Sequence, residues 1–164
     1  MSVLPPELTQ SQALSGLQCK RRAWGLTRSG APASSMQRDL RVRSRRRLID
    51  AALTLLAPDS ERNVEASNGL VRVTVDAIDA GHTLIAVRSG ASIKAHHIDL
   101  LAIQWWTLRT AGLDVDSCLV LHVNPLHRSP GPEPLFIQHD VSQTVREAAA
   151  QLASEVGALK SVVE

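Results

Sequence analysis

Along residues 69–78, Val71, Val73 and Val75 alternate with Arg72, Thr74 and Asp76. A period of two turns one face of a strand toward a core and the other toward water. The pattern predicts a strand there and a second over residues 83–88, joined around Asp79-Ala80-Gly81. Residues 63–66 predict a short strand before this pair. The strongly apolar run 117–123 predicts a central strand, and residues 135–138 a last one. Helical spacing governs the remainder. Thr9 and Gln12 read as a capping box opening a helix to about Trp24, with Leu14 and Leu17 inward. Leu40, Leu48, Ile49, Ala52, Leu53 and Leu56 stripe a second helix over residues 37–57. A third over residues 95–111 turns Ile98, Leu101, Ala102, Trp105 and Leu108 inward and closes on Gly112. Asp140 or Ser142 caps a final helix, whose stripe of Val141, Val145, Ala148, Leu152, Val156 and Leu159 can pack on the sheet or on another protomer.

The order α, α, β, β, β, α, β, β, α describes an α/β (α+β) chain. Its expected architecture is a central mixed sheet of about four to five strands flanked by helices. One domain is expected over residues 1–164, with a helix and a Gly/Pro/Ser linker in 1–36 and the core in 37–164. At 164 residues and 44% hydrophobic content the chain can bury one core. No run reaches the roughly 18 apolar residues of a membrane span, and the first residues lack a signal peptide's pattern. Cys19 and Cys118 lack metal or disulfide spacing. Together these point to a cytoplasmic protein.

Charge sharpens the picture. The net +2 divides into +7 over residues 1–50, where ten of eighteen Lys/Arg meet three of sixteen acids, and −5 over the rest. Such an asymmetry suggests an anionic partner such as nucleic acid. Arg38, Arg41 and Arg45 recur at helical spacing on the second helix. With no Tyr, one Phe and three Trp, contact through phosphates is favoured over base stacking. His96 and His97 are adjacent and lack the spacing of a zinc pair, and His122 reads as a core histidine.

Several segments resemble, in order, the RecB-like branch of the PD-(D/E)XK nuclease superfamily, and within it the relatives of CRISPR-associated iron–sulfur exonucleases. They are Leu14-Ser-Gly-Leu-Gln-Cys-Lys-Arg-Arg-Ala-Trp24, Val64-Glu-Ala66, the glycine-led strand Gly69-Leu-Val-Arg-Val-Thr-Val75, Leu84-Ile-Ala-Val-Arg-Ser-Gly-Ala-Ser-Ile-Lys94 and His97-Ile-Asp-Leu-Leu-Ala-Ile-Gln104. The resemblance implies a restriction-endonuclease-like core and metal-dependent phosphodiester hydrolysis. An Asp on one strand and Glu-x-Lys on the next would share a magnesium ion. The matching positions here hold Thr74, Ala86 and Arg88, and only Gln104 of the family's helix is retained. Alanine offers no ligand, and arginine stays protonated. The expectation is a catalytically inactive nuclease-like protein that uses no metal, magnesium included, and binds nucleic acid, DNA before RNA, or a partner protein. Arg38, Arg41, Arg45, Arg72, Arg88 and Lys94 would supply the phosphate contacts. Cys19 matches the leader cysteine, but no C-terminal cysteine cluster follows, so no iron–sulfur cluster is expected. Two alternatives stay open: an active magnesium nuclease with carboxylates relocated to Glu65 and Asp76 beside Gln104, and a homo-oligomeric structural or regulatory protein.

Overall fold

The structure, a computed structural model, describes residues 7–18 and 36–163. In chain order the elements are β1 (Leu8–Thr9), α1 (Gln10–Gln18), α2 (Met36–Leu56), β2 (Glu61–Ser67), β3 (Val71–Ile78), β4 (Thr83–Arg88), α3 (Ala95–Thr110), β5 (Ser117–Val123), β6 (Phe136–Asp140) and α4 (Ser142–Val163). The leader cysteine Cys19 and the basic residues after it lie outside the described residues.

The mixed sheet has six strands, one more than the upper expectation. The addition is β1, whose two residues are too few to show any alternation. They run parallel to the start of β3, with Leu8 opposite Val71 and Thr9 opposite Arg72. From there the order is β3, β4, β5, β6, and β2 pairs antiparallel with β3 along nearly its whole length. Strands β4 and β5 are parallel, joined by the crossover helix α3, and β6 returns antiparallel on β5.

Alternation along the strands separates two apolar clusters. Val71, Val73, Val75, Leu84, Ala86, Cys118 and Val120 face α1, α3 and α4. Ile85, Val87, Leu121 and Phe136 face the second half of α2, which contributes Ala52 and Leu53 with Leu48 and Ile49 at the rim. Each fully buried valine or leucine contributes about 1.5–3 kcal/mol, so the β3 face alone anchors the sheet firmly. Leu56 of the expected α2 stripe is instead largely exposed, because the helix ends just past the sheet. Val141 just before α4, and Val145 and Leu152 on it, pack into the main core, so this part of the stripe serves the sheet; Ala149 is buried there, while the expected Ala148 is only partly buried. The side chains of Val156 and Leu159 lie outside the described ones.

Local chemistry fixes the joints. Thr9 and Gln12 form the capping box: the Gln12 N–H donates to Thr9 Oγ1 (3.3 Å) and the Thr9 N–H to Gln12 Oε1 (2.8 Å). At the β3–β4 turn, Asp79 Oδ1 accepts the N–H groups of Gly81 and Thr83, both at 2.9 Å. Gly112 takes φ +87° after α3, and the Leu113 N–H reaches back to the Leu108 carbonyl at 3.0 Å. That is the left-handed helix stop which favours glycine. Among the described residues, no helix is long and apolar enough to cross a membrane.

Candidate nucleic-acid interface

The site grows out of a split in the sheet. Strands β3 and β4 pair only next to their turn, at Ala77–Ile85 and Ile78–Leu84. At its other end the same edge of β3 pairs with β1 at residues 71 and 72. Residues 73–76 therefore face no strand on that edge, and their backbone groups need other partners. Gln104, buried on α3, donates from Nε2 to the Thr74 carbonyl (2.9 Å) and to Gln10 Oε1 (3.1 Å). On the β4 side, Asp76 Oδ2 accepts the Val87 N–H at 2.8 Å, standing in for a strand carbonyl.

Asp76 also carries the site's electrostatics. Its Oδ2 lies 3.2 Å from Nη1 of Arg88, and its Oδ1 lies 3.4 Å from Nη2 of Arg45. The Arg88 side chain is only 7% exposed and that of Asp76 14%, so the pair is largely desolvated. Arg88 Nη1 donates as well to the Val87 carbonyl at 2.8 Å. Burial pulls the Arg88 pKa below its ordinary value; the Asp76 charge opposes that, and the Arg45 charge adds to it. The guanidinium nevertheless remains a cation.

Above this pair opens a cavity of 320 Å³ lined by Arg45, Arg88, Lys94, His96 and His97, with Leu48 and Leu100 supplying apolar wall. Lys94 precedes the first turn of α3. The His97 N–H donates to the Lys94 carbonyl at 2.9 Å, and His97 Nδ1 accepts the Lys94 N–H at 3.2 Å. That acceptance leaves the ring proton on Nε2. His96 meets His97 edge to face at 4.2 Å. Burial, and then the charges of Arg88, His96, Lys94 and Arg45, push the His97 pKa down to about 4. The imidazole is neutral at pH 7, a donor rather than a further cation.

The depressed value has a consequence for stability. Between pH 6.5 and about 4 the unfolded chain protonates His97 while the folded chain does not. His97 thus contributes stability that is present above pH 6.5 and lost as pH falls through that window. Paired denaturant titrations of the wild type and His97→Gln should differ progressively more at pH 7 than at pH 4. A constant difference would mean that the imidazole is freely hydrated.

The residues expected from the sequence divide into those that meet here and those that do not. Arg45, Arg88 and Lys94 meet at the cavity. Arg72 does not line it: its side chain is 66% exposed and paired with Glu7 at 3.0 Å. The side chains of Arg38 and Arg41, early in α2, lie outside the described ones. Thr74 is exposed opposite Glu65 on β2, and Ala86 is 2% exposed within the main core beneath α3. Glu65 pairs with neither Arg72 nor Arg88, whose partners are Glu7 and Asp76. Asp76 is no solvated turn residue but the counter-ion of a buried arginine. His96 and His97, adjacent and without the spacing of a zinc pair, line one cavity in mutual contact. A signal for His97 was available: it stands three residues past a helix start whose residue, Lys94, has no side-chain acceptor for capping. His122 is buried as expected, bonded to the Val123 carbonyl (3.0 Å) and stacked on His139.

A hard divalent ion takes about six oxygen ligands. The donor set at this place is one carboxylate, already engaged by two arginines and an N–H, with a third cation at Lys94. Among the described residues no three His, Cys, Asp or Glu side chains are grouped to hold a metal. These residues do not fit magnesium.

The fold has solved counterparts. The alkaline exonuclease LHK-Exo of Laribacter hongkongensis matches with a TM-score of 0.57 at 12% identity, over 98% of this chain and 91% of that one. Its complex with dAMP matches with a TM-score of 0.63 at 9% identity, over 96% and 87%. The fold is that of the alkaline exonucleases. A phage-related exonuclease from Haemophilus somnus 129PT agrees, with a TM-score of 0.55 at 8% identity, over 94% of this chain and 93% of that one. The mixed sheet flanked by helices is thus the PD-(D/E)XK-like architecture expected from the motifs. No protein-family profile matches the sequence, and neither does any curated protein.

Proposed function

We propose that this chain is a nuclease-like protein without phosphodiester chemistry, acting in the cytoplasm, which holds nucleic acid, DNA in preference, by its phosphates at the cavity over Arg88. The fold supports a nuclease-related role, and LHK-Exo, which shares it, is known in complex with a nucleotide. One observation carries the reading. At the split between β3 and β4 Asp76 is held by both Arg88 and Arg45, and among the described residues no three His, Cys, Asp or Glu side chains are grouped to hold a metal. A site built this way repels a divalent cation and attracts a phosphate.

Bidentate guanidinium contacts suit phosphate oxygens, and Arg88 is pre-oriented by Asp76 and the Val87 carbonyl, so little side-chain entropy is lost on binding. The Nε2–H of His97 can donate to the same anion without adding charge. Lys94, at the rim, supplies a point charge.

Binding to labelled oligonucleotides, measured against salt, tests the proposal. Each phosphate contact contributes about 0.9 to the slope of log affinity against log salt. Lys94→Ala should lower that slope by about one and weaken binding roughly tenfold at low salt, while leaving the fold intact. The same preparation should leave DNA uncut with magnesium and with manganese. Metal-dependent cleavage that disappears in Asp76→Asn would establish relocated catalysis instead, and salt-independent binding would remove the phosphate reading.

A further inference from the structure

A basic feature outside the cavity has no structural use. Residues 42–47 of α2 (Val42, Arg43, Ser44, Arg45, Arg46, Arg47) are all exposed, although the second half of the same helix is packed on the sheet. The helix continues from Arg43 back to Met36, about 10 Å further at 1.5 Å per residue. Arg43, Arg46 and Arg47 form no ion pair with any described residue, and Arg45 is tied to Asp76 at the cavity. At about 3.6 residues per turn, Arg43 and Arg47 share one side, Arg46 lies next to them, and Arg45 points across toward the body of the protein.

We infer that this arm of α2 lies in the major groove of duplex DNA, with the cavity over Arg88 taking a phosphate of the adjoining backbone. The inference deepens the phosphate-binding reading above and rests on it. Three observations carry it. First, Arg43, Arg46 and Arg47 lie together on the side of the arm turned away from the body of the protein, spread over roughly 100° of its circumference, so the arm can enter a groove with its cations toward the phosphates of a wall. Second, the dimensions match: a helix with its side chains is about 10–12 Å across, and the B-form major groove is about 12 Å wide. The A-form major groove of duplex RNA is too narrow and deep to admit it. Third, the described residues offer no stacking platform for single strands. Trp105 and Phe136 are buried, and Trp106 is packed against the core. Sequence-tolerant binding of unpaired bases needs exposed aromatics.

The Arg45–Asp76 pair sets the geometry. It fixes the arm beside the cavity, so one duplex can meet both at once. Val42, 59% exposed on the arm, is an apolar side chain free to touch a thymine methyl at the groove floor.

The experiment compares wild type, Lys94→Ala and the triple variant Arg43→Ala/Arg46→Ala/Arg47→Ala. The probes are a 20-base-pair DNA duplex, the same duplex as RNA and the corresponding single-stranded DNA, each followed by fluorescence anisotropy at several salt concentrations. Alanine favours helix and these positions are exposed, so the triple variant should retain the wild-type melting temperature. The expected result is DNA-duplex binding at least tenfold tighter than RNA-duplex binding. In the triple variant, duplex affinity should fall at least thirtyfold and the salt slope should drop by two to three, while single-strand binding changes little. Equal affinity for DNA and RNA duplexes would overturn the inference, as would a triple variant within threefold of wild type on the DNA duplex. If Lys94→Ala weakens binding and the triple variant does not, the cavity reading stands and the arm in the groove is wrong. If wild type binds none of the three probes at low salt, both fall together.

Discussion

Replacing Asp76 with alanine is expected to destabilise the protein by about 3–5 kcal/mol, the cost of leaving a buried charge without its counter-ion. Arg88 is 7% exposed at its side chain and, among the described residues, Asp76 is its only carboxylate partner. The same substitution frees the Val87 N–H, which now bonds to Asp76 Oδ2 at 2.8 Å, and an unmade buried hydrogen bond adds about 1–3 kcal/mol. At roughly 2–4 °C per kcal/mol for a chain of this size, melting should fall by roughly 10–30 °C. The double variant Asp76→Asn/Arg88→Met keeps an acceptor for Val87 and removes the orphaned cation, so it should be more stable than Asp76→Ala. The non-additivity of the pair in denaturant titrations should reach about 1–3 kcal/mol. A loss below about 1 kcal/mol for Asp76→Ala would mean that water in the cavity solvates Arg88 well enough by itself.

Placing at Ala86 the glutamate that the resemblance implies is expected to damage the protein rather than create a nuclease. Ala86 is 2% exposed, in the cluster with Val75, Leu84, Leu101, Ala102 and Val120. A glutamate there would bring a carboxylate and one further methylene into close-packed apolar surroundings. Overpacking costs about 1–3 kcal/mol, and burying an unpaired carboxylate adds several more, so Ala86→Glu should lose at least about 4 kcal/mol. Ala86→Gly should cost much less. Chemical denaturation of the two variants makes the comparison, with a magnesium-dependent cleavage assay alongside. A stable Ala86→Glu that cuts DNA would show that this position faces solvent and metal, contrary to its burial.

Much of the frame was legible from the chain alone. The period-two run at Val71, Val73 and Val75 placed β3, and the boundaries of β4 and β5 follow the expected residues because short apolar runs between turn residues have sharp ends. The capping box at Thr9 and Gln12 and the stop at Gly112 are local chemistry, visible without any tertiary contact. Strand β1 was not legible, since two residues carry no period and it exists only through pairing with β3. The reach of α2 was half legible: its stripe at Leu48, Ile49, Ala52 and Leu53 is core, while Val42 and Leu56 stand in the open where the sheet no longer extends.

The candidate site divides in the same way. That Thr74, Ala86 and Arg88 offer neither a metal-binding carboxylate nor a lysine is legible from residue types alone, while their standing against a nuclease's metal ligands is what the resemblance implies. What those residues do instead depended on partners far away in the chain. The pairing of Asp76 with Arg88 across 12 positions, the approach of Arg45 across 31 and the bond from Gln104 to the Thr74 carbonyl across 30 all follow from where β3 leaves β4. Side-chain charge can be read one residue at a time. Its neutralisation requires two residues to meet, and only the tertiary structure brings Asp76 to the arginines and joins Lys94, His96 and His97 to them in a single cation-lined cavity.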